Sequence, residues 1–96
     1  MSERAGRTVL TKDFVILNQY GIHARPAALF AKTASHFDAD VFVEKGGTRV
    51  SGKSIMGLMT LEASRGSKLR VTVEGPDAEA ILEELAALIE SKFNEE

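Results

Sequence analysis

The sequence predicts an α+β fold: an open-faced two-layer sandwich, with three helices on one face of a four-stranded, mainly antiparallel sheet, in the order β-α-β-β-α-β-α. Three observations carry this. Short alternating or β-branched runs at residues 14–18, 41–44, 48–51 and 69–73 read as strands. Residues 27–34 and 81–93 repeat apolar side chains at helical spacing. Glycine breaks at Gly21, Gly46-Gly47 and Gly75-Pro76 separate these periods.

Taken in order, residues 1–9 are polar, show no packing period and read as a flexible N-terminal extension, leaving 10–96 as a single domain. Phe14, Ile16 and Asn18 alternate with Val15 and Leu17, the first strand. After Gly21, the stripe Ala27, Phe30, Ala31 and Ala34 gives a helix whose small side chains allow close approach to a sheet. The next two strands meet at Lys45-Gly46-Gly47, a hairpin turn in which glycine supplies positive φ. Residues 54–61 form a short helix, and Leu69, Val71 and Val73 mark the last strand. Asp77 is placed to cap a final helix whose buried stripe is Ile81, Leu82, Leu85, Leu88, Ile89 and Phe93, with Glu79, Glu83, Glu84 and Glu90 on its wet side.

At 96 residues the chain is the size of one domain. It has no cysteine, which excludes disulfides, zinc–thiolate sites and thiol catalysis. No apolar run approaches the roughly 20 residues that span a bilayer, so no membrane insertion and a cytoplasmic location are expected. The net charge of −2 hides an asymmetry: residues 1–70 hold 11 Lys/Arg against 6 Asp/Glu, and residues 71–96 hold 1 against 8. That pattern fits steering toward an acidic protein partner better than nucleic-acid binding. A Glu-rich solvated helix explains the tail equally well.

The chemistry concentrates in Gly21-Ile22-His23-Ala24-Arg25-Pro26-Ala27-Ala28. If His23 is the N-cap, Ala24, Arg25 and Pro26 fill the first turn, where a proline loses no helical hydrogen bond. The N–H groups of Ala24, Arg25 and Ala27 are then candidate donors to an oxyanion, and Arg25 adds a charge-assisted contact. Unperturbed imidazole is largely neutral and nucleophilic near neutral pH. The site reads either as a phosphoryl acceptor or as a plain capping histidine beside a surface arginine.

The same residues resemble the phosphorylation site of HPr, the histidine-containing phosphocarrier family of the bacterial phosphoenolpyruvate:sugar phosphotransferase system. A second block, Lys53-Ser54-Ile55-Met56-Gly57-Leu58-Met59-Thr60-Leu61, stands at the matching distance, and the likeness runs from about Leu10 to about Phe93. The resemblance implies that His23 accepts phosphate on Nδ1 from enzyme I and passes it to an enzyme IIA, with Arg25 neutralising the group in transit. It requires no cofactor or metal, and a monomer is expected.

Ser54 begins the short helix and is a natural cap; the resemblance also makes it a target of HPr kinase/phosphorylase, controlling a catabolite transcription factor. Ile55, Met56, Leu58, Met59 and Leu61 are too many apolar residues for a two-turn helix to bury. Leu58 and Leu61 are the expected core pair. Ile55, Met56 and Met59 are left as an adaptable docking patch, with Lys32 and Lys53 extending it by charge. His36 is expected at a helix C-terminus, favoured there by the helix dipole rather than as a metal ligand.

Two features depart from the family pattern. Tyr20 stands where many sugar-system members have a small polar residue, and the N-terminal extension is long. Both leave open the sugar-system carrier against its nitrogen-system relative, NPr. The related Crh lacks the active-site histidine, so His23 argues against it. Two other function classes are weaker. A hydrolase with His23 as general base lacks a carboxylate nearby in sequence to orient the ring. RNA binding on the sheet needs exposed aromatics, and the chain holds one Tyr, no Trp and five Phe.

Overall fold

The computed structural model describes residues 8–95. Strand β1 (Thr8–Val15) leads to helix α1 (Ala24–Ser35), the hairpin β2 (Asp40–Lys45) and β3 (Thr48–Ser51), helix α2 (Ile55–Thr60), strand β4 (Lys68–Gly75) and helix α3 (Ala78–Glu90). A short turn of 3-10 type, Lys92–Asn94, follows. The sheet order is β1-β4-β2-β3, and all three pairings are antiparallel. This is the predicted architecture.

Strand alternation decides which face meets the helices. Phe14, Leu69, Val71, Val73, Val41 and Val43 are buried beneath them. The opposite residues form an open face, where register aligns Asp13, Arg70, Glu44 and Arg49 in one row across all four strands. Charge alternates along that row. Arg70 donates Nε–H to Asp13 Oδ1 at 2.9 Å and a second, longer bond from Nη2 to Oδ2 at 3.4 Å. Phe42, on the same face, lies under the Arg49 guanidinium, 4.3 Å from the ring centroid. A face so charged, with its aromatic already covered, offers little to stacked bases.

At the hairpin, Gly46 and Gly47 take φ of 56° and 87°, as a two-residue turn between twisted strands requires. The α1 stripe is buried as expected: Ala27, Phe30, Ala31 and Ala34 are at most 5% exposed. His36 is the C-cap of α1.

Four expectations are corrected. The first strand ends at Val15, and Asn18 sits beyond it in a turn. Ile16 still bonds the chain after α2, donating to the Ser67 carbonyl and accepting from Gly66 N–H. At the other end, Thr8 and Val9 pair with Gly75 and Glu74, so the ordered sheet takes in the last two residues of the expected extension. The remainder of that extension, residues 1–7, lies outside the described residues.

Asp77 occupies the cap position of α3, yet its side chain makes no cap hydrogen bond. Its Oδ2 instead accepts from Asp38 N–H at 2.7 Å, tying the α1–β2 loop to the start of α3. Phe93 is fully buried but lies past the helix, in a turn where Lys92, Phe93 and Asn94 all have φ near 60°. Reversing the chain there drops the ring back onto the core.

Candidate functional site

Gly21 fixes the backbone that leads into α1. Its φ is 68°, and a Cβ at this position would overlap the Ala63 carbonyl and approach Ser64 Cα to 2.8 Å. Only glycine fits both demands. Ile22 donates its N–H to that same carbonyl at 2.8 Å, so the turn is pinned to the chain after α2. From inside, buried Asn18 donates Nδ2–H to the Gly21 carbonyl at 2.8 Å.

His23 is the N-cap of α1, as predicted, with an extended backbone and no side-chain capping bond. The ring is therefore free of its own helix, and its side chain is 41% exposed. The first helical bond runs from Ala27 N–H to the His23 carbonyl at 3.0 Å. This corrects the expected donor set: Ala27 is spent on the helix, and buried Pro26 has no N–H. The amides of Ala24 and Arg25 remain, with no hydrogen-bond partner among the described residues. Two donors at a helix start still favour an anion.

Arg25 is exposed and lines an open cleft of about 450 Å³ together with Gln19, Tyr20, Asn94 and Glu95. Tyr20 is exposed and meets the imidazole edge-on, ring centroids 6.3 Å apart and planes at 82°. It flanks the ring without covering it.

The sequence offered no sign of Glu95. Its Oε2 lies 3.0 Å from His23 Nε2, across 72 residues of chain. Its Oε1 accepts from Asn18 Nδ2 at 3.0 Å. No carboxylate near His23 in sequence orients the imidazole, as expected; the one that does comes from the far end of the chain. An ionised carboxylate only accepts, so Nε2 must carry the hydrogen. In the neutral ring that leaves Nδ1 bare. It has no hydrogen-bond partner among the described residues.

The second block forms its own surface. Ser54 Oγ accepts from Gly57 N–H at 2.9 Å, the N-cap bond of α2. Leu58 and Leu61 are buried, whereas Ile55, Met56 and Met59 are 44%, 76% and 40% exposed. The division is the one expected. Lys53 is exposed directly before the cap, and Lys32 is exposed in the last turn of α1, the helix against which α2 packs. Tyr20, His23, Arg25 and Glu95 thus gather at the start of α1, while Ser54 and the methionines belong to α2. Among the described residues, no group of three or more acidic or histidine side chains is arranged to hold a metal ion, and no helix is long and apolar enough to cross a membrane.

Known proteins resemble this chain in sequence and fold. The family model described as the PTS HPr component phosphorylation site matches residues 10–91. The phosphocarrier protein HPr of Treponema pallidum is 44% identical over 88 residues, 92% of this chain and 100% of that protein. The HPr-like protein Crh of Bacillus subtilis is 47% identical over 72 residues, 75% of this chain and 85% of its own. Among solved structures, HPr-C-His from Thermoanaerobacter tengcongensis superposes with a TM-score of 0.87 at 47% identity, covering 91% of this chain and 98% of that one. The family match spans the His23 turn, α2, β2 to β4 and most of β1, and the chain belongs to the HPr family, the phosphocarriers of the phosphotransferase system.

Proposed function

We propose that His23 takes a phosphoryl group from the phosphohistidine of enzyme I and delivers it to a histidine of an enzyme IIA in the cytoplasm. The observation that carries this is the hydrogen bond from His23 Nε2 to Glu95, which turns the bare Nδ1 into the available nucleophile. In the step, the Nδ1 lone pair forms a bond to phosphorus while the donor's N–P bond breaks and its electron pair returns to the donor nitrogen. The Nε2 proton stays on the ring throughout. The amides of Ala24 and Arg25 and the Arg25 guanidinium are the groups that meet the phosphoryl oxygens, a small set suited to holding the group and then releasing it.

Because every group that this protein brings to the step comes from one copy of the chain, a monomer suffices as the working form. Incubation with phosphoenolpyruvate and enzyme I should place an acid-labile, alkali-stable phosphate on His23. His23→Ala should abolish it; labelling of that variant at the wild-type level rejects the assignment. Parallel assays with the enzymes I of the sugar and nitrogen systems assign the branch, the faster donor naming it.

A second reading concerns Ser54 and is favoured by its half-buried position at the start of α2, beside exposed Ile55 and Met56. Phosphorylation by an HPr kinase/phosphorylase would put about two negative charges at an apolar docking patch and weaken engagement with enzyme I by desolvation and repulsion. The same modified face would be read by a catabolite-control transcription factor. An ATP-dependent kinase assay comparing the wild type with Ser54→Ala tests it, and equal labelling of the two removes Ser54 from the scheme.

A further inference from the structure

We propose that Glu95 is the counter-ion of the phosphorylated His23 ring, a positioning residue that sets how strongly this chain holds its phosphate. The inference rests on the phosphocarrier reading. Attack through Nδ1 requires its lone pair, so the form of the imidazole that reacts carries no charge. Once Nδ1 is bonded to phosphorus and Nε2 keeps its hydrogen, the ring is a cation. Glu95 Oε2, 3.0 Å from Nε2, faces that new charge directly. A contact that strengthens on phosphorylation favours the loaded state over the empty one.

The carboxylate is built in rather than carried on a loose tail. Its second oxygen is held by Asn18 Nδ2, and Asn18 is 1% exposed. The Glu95 side chain is itself only 16% exposed. The chain reaches this point through the left-handed turn Lys92–Asn94, anchored by the fully buried ring of Phe93. Arg25 lines the same cleft as Glu95, so the opposite charges required by the cationic ring and by the anionic phosphoryl are both supplied at this end of α1.

The test is the equilibrium of phosphoryl exchange, because a merely structural role would not move it. Stoichiometric phosphorylated enzyme I is mixed with the wild type, Glu95→Gln or Glu95→Asp, and the phosphate on each protein is read by phosphorus NMR. Glu95→Gln keeps an acceptor for Nε2–H without the charge. It should shift the distribution about fivefold toward enzyme I, the size expected of one partly exposed charge-assisted hydrogen bond. Glu95→Asp should recover part of the loss. Matching amide spectra and melting temperatures show that the variants are folded. A Glu95→Gln distribution within about twofold of the wild type, with wild-type His23 labelled, overturns the role of Glu95 alone. No label on wild-type His23 overturns both readings.

Discussion

His23 was legible because everything that presents it is local. A glycine before, an arginine two residues after and a proline next define a helix start from seven consecutive residues. Glu95 was not, because the hydrogen bond to His23 joins residues 72 apart and depends on a turn of three non-glycine residues with positive φ. Asn94 tolerates such a turn, but nothing in Lys92 or Phe93 advertises it, since most side chains avoid positive φ. Asn18 gave a weak sign, an amide where alternation called for an apolar residue. It was read as strand because period-two patterning does not register a turn that buries a polar group. Two outcomes follow at this scale. Arg25→Ala should lower the rate of phosphoryl acceptance by about 100-fold, consistent with loss of one charged donor from a transfer site, measured by rapid-quench labelling. Gly21→Ala should cost about 2 kcal/mol or more, from backbone strain and the collision with the Ala63 carbonyl, read from urea unfolding.

Helix α2 illustrates how far composition alone reaches. A two-turn segment with five apolar residues must leave some outside; Met56 and Met59 share the i, i+3 spacing of Leu58 and Leu61, and it is the leucine pair that the fold buries. Replacing the cap, Ser54→Ala, should destabilise the fold by about 1 kcal/mol, measured by thermal unfolding. Met56→Glu should leave stability nearly unchanged, because the side chain is 76% exposed. It should raise the KM for phosphorylation by enzyme I about tenfold while sparing kcat, as expected if the methionine serves docking and not the transfer step. Asp77 shows the converse limit. Residue type placed it correctly at the start of α3, but the cap bond lost to a competitor, the Asp38 amide, that only the folded chain brings near.

For the molecule as a whole, the alternating charges of the open sheet face predict a small acid sensitivity. The hydrogen bond from Arg70, helped by its charge, holds the Asp13 carboxyl below the ordinary value and raises the Arg70 guanidinium above its own. A folded-state value below the unfolded one adds stability above the usual carboxylate range, and this is lost as pH falls through the folded value. Asp13→Asn should therefore reduce the slope of stability against pH in the acid limb, seen by denaturation at stepped pH. The change at neutral pH should be slight, because both side chains are well exposed.

The sheet order also has a consequence for how the chain comes into being. Strand β1 has β4 as its sheet neighbour, and the nearest pair, Val15 and Lys68, is separated by more than half the domain. During synthesis β1 therefore emerges long before the strand it needs, and α3 and Glu95 emerge later still. A nascent chain that has not yet extruded Glu95 carries the His23 motif without its counter-ion. The finished cleft waits for that residue, and a bulky domain inserted directly after Glu95 should perturb it more than one placed before Thr8.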